Sequence, residues 1–163
     1  ELLFSTGLRV SELTSLDVGD VNLKTREIPV LGKGRKLRVV FVSDSAEEAL
    51  KNYLGTRDDE YKPLFIRYKG GDSKNLEGED LRLSVRSIQK LVKRYAKIAG
   101  IASDPTPHTL RHTFATDLLS RGADIRSVQE LLGHSNIATT QIYTHITNPR
   151  LKEVHKKYHR GNK

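Results

Sequence analysis

The hydrophobic pattern of this chain changes its period once, and that change limits the folds available to it. Residues 28–42 are dense in β-branched and apolar side chains around the glycine turn GKGRK, which predicts two strands joined by a turn. The preceding stretch VNLK, residues 21–24, is interpreted as a third strand. From residue 84 onward, apolar residues recur at helical spacing. The sequence therefore predicts one α+β domain, predominantly helical, with a small antiparallel sheet of three strands near the N-terminal end.

Helices are predicted on both sides of this hairpin from cap residues, apolar stripes and closing glycines. The end of one helix and a short second helix, from residue 8 to about residue 16, are separated by a turn at residues 5–7. Further helices are expected over residues 43–55, 83–100, 107–122 and 123–134, from about residue 135, and from residue 148. The following residues of two of these helices are expected to face inward: Ile88, Leu91, Val92, Tyr95, Ile98 and Ala99, then Ile125, Val128, Leu131 and Leu132.

The charge balance points to an anionic partner. The 163 residues include 28 Lys and Arg against 20 Asp and Glu, giving a net charge of +8. Nucleic acid fits this balance first and an acidic membrane surface second, although a merely basic soluble protein shows it too. The absence of Cys excludes a disulfide framework, a thiol nucleophile and a cysteine zinc site, and it fits a reducing compartment, so we expect a cytoplasmic protein. No run of 18 apolar residues exists, so no membrane span is predicted.

The start of the chain resembles the interior of a helix. The first residues are ELLFSTGLR, and the chain contains no Met, whereas a natural translation product starts with one. We therefore interpret the chain as a fragment that lacks an N-terminal portion of its parent.

The stretch HTLRHTFATDLLSRG, residues 108–122, combines a cationic helix start with an apolar body. His108 and Arg111 share one helix face, while Leu110, Phe114 and Leu118 form another. An imidazole and an arginine fork at a helix N-terminus suit a phosphate. The same residues also suit a structural role, in which Arg111 pairs with a buried carboxylate and His108 caps the helix.

A metal site is not expected from the histidine pairs. His108 and His112 are four residues apart, as are His155 and His159. The first pair lacks the glutamate of the H-E-x-x-H zinc motif, and Arg111 between the histidines would repel a cation. The second pair lies in a basic tail.

Several segments together resemble the tyrosine recombinases, the integrase family that includes the Xer proteins. HTLRH, the later LLGH and a tyrosine nine residues beyond it resemble the second signature box of that family. TGLRVSEL resembles the first arginine box, and GKG between two strands resembles the β-turn lysine. The resemblance covers essentially the whole chain in the right order. It implies the catalytic domain fold of that family, without the family's preceding helical DNA-binding domain.

The resemblance implies six catalytic residues and no cofactor: Arg9, Lys33, His108, Arg111, His134 and Tyr143. Tyr143 would be the nucleophile that forms a 3′-phosphotyrosyl bond, and the two arginines would hold the non-bridging phosphate oxygens. Lys36 lies in the same turn as Lys33, so the general acid is ambiguous between them. Glu12, one turn after Arg9, is interpreted as the partner that orients that arginine.

The family resemblance implies double-stranded DNA as partner and a homo-oligomer, a tetramer on paired sites in the full-length protein. We expect the hairpin turn and one helix face to contact DNA phosphates through these residues: Arg35, Lys36, Lys90, Lys93, Arg94 and Lys97. The function implied is site-specific, metal- and ATP-independent recombination. The alternatives are a relaxase resembling type IB topoisomerases and a catalytically silent DNA-binding regulator.

Overall fold

The structure is a computed structural model that describes residues 1–32, 37–68, 73–133 and 149–161. Its described part contains seven α-helices: α1 Leu2–Thr6, α2 Val10–Thr14, α3 Asp44–Gly55, α4 Val85–Ile98, α5 Pro107–Ser120, α6 Ile125–Leu132 and α7 Pro149–Tyr158. One-turn 3-10 helices cover Val18–Asp20 and Glu79–Leu81. The helix expected from about residue 135 lies outside the described residues.

The sheet has two strands in the described part of the chain, so the prediction of three was wrong. Strands β1, Glu27–Leu31, and β2, Leu37–Phe41, pair antiparallel with Ile28 opposite Val40. The stretch at 21–24 instead makes a single bridge, Asn22 to Glu27. The Asn22 side-chain oxygen accepts hydrogen bonds from the backbone N–H groups of residues 24 and 25, which turns the chain before a third strand can pair.

Hydrogen-bonding caps start the longer helices where the sequence predicts them. Ser43, Ser84, Thr106 and Asp124 each accept a backbone N–H of the first turn of α3, α4, α5 and α6, respectively. Thr106 with Pro107 begins α5, so His108 occupies the first turn and does not cap the helix. The alternative of a capping role for His108 is therefore wrong.

Two apolar clusters form the core. The larger joins α1 and α2 to the hairpin, α3 and the start of α4, and its fully buried members include Leu8, Ile28 and Leu64. The second lies between Phe41 of β2 and helices α5 and α6, around Phe114 and Leu118, which are fully buried. Strand β2 contributes Val40 to the first cluster and Phe41 to the second, so it packs against both.

Three expected inward positions of α4 and one of α6 are exposed. Tyr95 and Ile98 are 61% and 67% exposed, and Ala99 is exposed too, whereas Ile88 and Ala96 are buried. Ile125, at the start of α6, is 64% exposed. The periodicity identifies the apolar face correctly. How much of that face is buried depends on which neighbouring helices pack against it.

Helix α7 packs back onto the domain to which it belongs. The Nε2 atoms of His155 and His159 contact the backbone oxygens of Ser5 and Phe4 at 2.6 and 3.0 Å, and their rings stack with centroids 4.9 Å apart. Burial lowers the pKa of His155 to about 4 and also lowers the pKa of His159, so both imidazoles are neutral in the folded protein at pH 7. Val154 and Tyr158 complete the contact against the second cluster.

Candidate active site

A glycine turn places the first predicted site residue. Gly7 ends α1 with a φ of 63°, in the left-handed region that side chains disfavour. A Cβ at this position would lie 2.6 Å from Cδ1 of Phe114, so the backbone passes directly over that ring. The chain reverses here, which brings Arg9 to the N-cap of α2 and leaves its side chain 33% exposed.

The Glu12 carboxylate accepts hydrogen bonds from both the backbone and the side chain of Arg9. The Arg9 backbone N–H donates to Oε2 of Glu12 at 2.8 Å, and the guanidinium donates to Oε1 at 3.0 Å. The Glu12 side chain is 7% exposed. This geometry fits the orienting role predicted for Glu12 from its spacing to Arg9.

Arg111 reaches the same region from α5. Its guanidinium donates to the backbone oxygen of Gly7 and, at 2.7 Å, to that of Leu132. Desolvation lowers the pKa of Arg111 to about 10, helped by the nearby positive charges of Arg9 and Arg38, so the group stays charged at neutral pH. The hydrogen bonds of Arg111 in the described part of the chain go to backbone carbonyls, not to the buried carboxylate of the structural alternative.

His108 lies one turn before Arg111, on the same face of α5, and is exposed. An imidazole in this position is accessible to a ligand that approaches the N-terminal end of α5. The structure therefore brings Arg9 and Arg111 together and leaves His108 open beside them.

Arg38 is a third arginine at this place, and the sequence reasoning missed it. Its NH1 and NH2 groups donate to the two carboxylate oxygens of Glu12, both at 2.8 Å. Arg38 shares a strand face with Val40 and Val42, which are buried. A charged residue on the buried face of a strand needs a partner of opposite charge, and this was the available signal.

Burial alone would raise the pKa of Glu12. Hydrogen bonds from the Arg38 guanidinium and from the Arg9 backbone outweigh burial and, with the charge of Arg38, lower the pKa to about 2. The Glu12 carboxylate thus pairs with Arg9 and Arg38, and the charge of Arg111 acts close by, which leaves a net positive site. Such an arrangement suits an anion with two or more oxygens, since arginine forks match carboxylate and phosphate geometry.

Five predicted site residues lie outside the described residues: Lys33, Arg35, Lys36, His134 and Tyr143. The described strands β1 and β2 flank the segment that contains the first three. Gly133, directly before His134, ends α6 with a φ of 64° and packs on the side chain of Arg38.

The basic side chains of α4 are exposed, as predicted, and they are Lys90, Lys93, Arg94 and Lys97. Lys93 pairs with Asp104, which is also exposed, and the Arg94 guanidinium lies 5.9 Å from the centroid of the Tyr95 ring. Exposed ion pairs of this kind contribute little to stability, so these cations remain available to another partner.

The chain matches the phage integrase family over residues 1–150. It belongs to that family. Tyrosine recombinase XerC of Corynebacterium glutamicum is 46% identical over 162 residues, which cover 98% of this chain and 49% of that protein. The solved structure of the XerA recombinase is similar with a TM-score of 0.71 and 39% identity, over 93% of this chain and 53% of that one. These matches confirm the resemblance to the tyrosine recombinases.

A further solved structure shows a family member with DNA. The XerH site-specific recombinase bound to difH substrate, in a pre-cleavage complex, has a TM-score of 0.64 and 32% identity over 93% of this chain and 43% of that one. The chain spans about half the length of the curated relatives that it matches. In its described part, no helix has both the length and the apolar character needed to cross a membrane.

Proposed function

We propose that this chain is the catalytic domain of a site-specific DNA recombinase of the Xer kind. It spans residues 1–163, and a preceding DNA-binding domain of the full-length protein closes over the other side of the duplex. The protein cuts one DNA strand, keeps the phosphate on a tyrosine and passes it to the 5′-hydroxyl of another duplex. A protein that acts in this way on bacterial DNA works in the cytoplasm.

Arg9 and Arg111 neutralise the negative charge of the scissile phosphate. The two arginines are 102 positions apart in the sequence and face one region, where each binds a non-bridging oxygen of the scissile phosphate. The phosphorane is more negative than the starting diester, so these donors gain strength in the transition state. The guanidinium groups supply the positive charge, so the reaction proceeds without a metal ion.

Tyr143 is the nucleophile. Its phenolic oxygen forms a bond to phosphorus while the bond from phosphorus to the 5′-oxygen breaks. His108 accepts the phenolic proton, and the leaving 5′-oxygen takes a proton from Lys33. His134 holds a phosphate oxygen. The phosphotyrosyl ester keeps the energy of the original ester, so rejoining needs no ATP.

One observation supports this proposal above the others. Arg9 and Arg111, which are far apart in the sequence, converge on one place through Glu12, Gly7 and Leu132, and both guanidinium groups are fixed by hydrogen bonds. A third of the Arg9 side chain is exposed, so its guanidinium is accessible to a ligand.

Paired DNA sites imply an assembly of four subunits, because two duplexes with two half-sites each offer four positions, and one subunit binds at each position. We propose that the full-length protein is a tetramer on DNA.

The experiment first selects the DNA target of the protein from a pool of random sequences. The full-length protein is mixed with nicked duplexes of randomised sequence, covalent adducts are isolated under denaturing conditions, and their DNA is sequenced. Two copies of the selected site are then incubated with the protein. Exchange of strands between the two duplexes is expected.

The alternatives give different results in the same assay. Adduct formation and resealing of a single duplex, without exchange, would indicate a relaxase. Binding with no adduct at all would indicate a silent DNA-binding protein. Either result would contradict the proposal.

A further inference from the structure

Arg38 connects three parts of the molecule that carry predicted site residues. Its side chain extends from strand β2, and both terminal nitrogens donate to the carboxylate of Glu12 in α2. Its Nε donates to the backbone oxygen of Leu131, in α6, at 3.3 Å. In the sequence, Lys33 lies between β1 and β2, Arg9 is the N-cap of α2, and His134 follows directly after Gly133, the C-cap of α6. A single side chain thus bridges all three.

Glu12 is fully occupied by its two arginines. Oε1 accepts from the Arg9 guanidinium and from NH1 of Arg38, while Oε2 accepts from the Arg9 backbone and from NH2 of Arg38. Because each oxygen has one partner from each arginine, the carboxylate cannot rotate without breaking bonds to both. Arg38 therefore fixes the surface against which the Arg9 guanidinium rests.

Arg38 acts from behind this carboxylate and does not itself face a ligand. Its side chain is 11% exposed, against 33% for Arg9. Three of its five N–H donors are already used within the protein. An arginine that neutralises phosphate charge needs donors on the open side, and Arg9 is the more exposed of the two.

The backbone around Arg38 is shaped to admit it. A Cβ at Gly133 would lie 2.8 Å from Cδ of Arg38 and 3.1 Å from its Nε. The glycine is therefore needed both for its positive φ and for the close approach of this side chain. A buried ion pair is an inefficient way to gain stability, since desolvation offsets much of its attraction, which makes a positioning role the better explanation.

We infer that Arg38 is a positioning residue of the reaction: it holds Glu12 so that the Arg9 guanidinium meets a non-bridging oxygen of the scissile phosphate. This inference rests on the proposed function. Arg38 would thus affect the reaction rate only by positioning Arg9.

The test compares a charged with a neutral scissile group. The selected nicked duplex is made with the ordinary phosphate and with a methylphosphonate, in which a methyl group replaces one charged non-bridging oxygen. Arg9→Ala should slow adduct formation roughly 10²–10³-fold on the phosphate, as for the removal of a transition-state donor, and far less on the neutral group. Arg38→Lys keeps the charge but loses the fork, and Arg38→Gln loses both.

Both Arg38 variants should follow the pattern of Arg9. We expect a loss of about 10–100-fold on the phosphate and only a few-fold on the methylphosphonate, since Arg9 is misplaced rather than absent. In the double variant of Arg9→Ala with Arg38→Lys, the second change should add almost nothing to the loss.

Arg57→Lys is the matched control. Its guanidinium is also buried, 4% exposed, with Asp59 and backbone oxygens as partners, and it does not contact Arg9 or Glu12. A loss of stability alone should therefore affect both substrates equally in this variant.

The outcomes separate the inference from the proposed function. Equal losses on both substrates for the Arg38 variants, or losses that multiply in the double variant, would overturn the positioning role while adduct formation by the unchanged protein upheld the function. No adduct from the unchanged protein on either substrate would overturn both.

Discussion

At the scale of single residues, the site depends on a carboxylate that stays ionised. The folded-state pKa of Glu12 is about 2 against an ordinary value of 4.5, because the hydrogen bonds of Arg38 and Arg9 outweigh its burial. A lowered pKa stabilises the folded protein fully above the unfolded value and ceases to do so as the pH falls from 4.5 to 2. The shift corresponds to about 3 kcal/mol.

Glu12→Gln should therefore lower the free energy of unfolding at pH 7 by up to about 3 kcal/mol, and it should also flatten the acid limb of the stability profile. Urea unfolding at several pH values from 7 to 2 measures both effects. A variant as stable as the parent at pH 7, with the same acid limb, would contradict the pKa of Glu12.

The choice between Lys33 and Lys36 as general acid is also a residue-scale question. In the sequence, Lys33 is flanked by two glycines, which carry no side chain, whereas Lys36 directly precedes β2, so we expect Lys33 to be the acid. Loss of the acid should slow cleavage roughly 10²–10⁴-fold. Sulfur in place of the bridging 5′-oxygen leaves as a thiolate with a pKa near 8.5 and needs no proton.

We therefore expect the sulfur substrate to restore adduct formation by Lys33→Ala, and to restore it far less for Arg9→Ala or Arg111→Ala, whose charges act on other oxygens. Cleavage rates on oxygen and sulfur substrates are the measurement. Rescue of Lys36→Ala, with Lys33→Ala still slow, would assign the acid to Lys36.

At the scale of elements, the turn between α1 and α2 determines where Arg9 points. Gly7→Ala introduces a side chain at positive φ and against Phe114, so we expect a loss of about 2–4 kcal/mol in stability. Gly55→Ala, in the last turn of α3 with no neighbouring atom within 4 Å of the added Cβ, is the control and should be neutral or slightly stabilising.

Urea unfolding of the two glycine variants gives the comparison. Equal stability of Gly7→Ala and Gly55→Ala would show that the turn tolerates a side chain and does not fix the path of the chain into α2.

The elements themselves were largely predictable, because caps and periodicity are local. Helices α3, α5 and α6 begin within two residues of their predicted starts, after the caps Ser43, Thr106 and Asp124, and β-branched residues form the expected hairpin. Asn22 misled the strand prediction, since its hydrogen bonds to the following backbone compete with a ladder. Periodicity places Ile125 on the apolar face of α6, but it is exposed because no neighbouring element in the described part of the chain covers that end of the face.

The site was predictable only where its contacts are local. Arg9 and Glu12 are three residues apart on one short helix, so their contact follows from spacing. Arg38 reaches Glu12 over 26 positions, and Arg111 reaches Gly7 over 104, so neither contact follows from a local pattern. Tertiary structure alone shows that Arg9 and Arg38 share one acid and that Arg111 lies near them.

At the scale of the whole molecule, the basic face of α4, and not the net charge as such, should bind the DNA phosphates. Replacing Lys90, Lys93, Arg94 and Lys97 of α4 by Gln should weaken binding and reduce the salt slope by about 0.9 for each DNA phosphate that these side chains no longer neutralise. The control removes the same charge from four exposed lysines elsewhere: Lys24, Lys51, Lys62 and Lys74.

Titration of the selected duplex at several salt concentrations measures this slope. Equal reductions for the two sets of variants would mean that net charge, and not the face of α4, binds the phosphates.

The most direct test of the account concerns the nucleophile. The full-length protein and its Tyr143→Phe variant are incubated with the selected nicked duplex, and the covalent adduct is digested and mapped by mass spectrometry. The change removes one oxygen, so folding and DNA binding should persist. We expect a nucleotide on Tyr143 in the parent protein and no adduct in the variant. An undiminished adduct in Tyr143→Phe, mapped to another tyrosine, would contradict the proposed catalytic site.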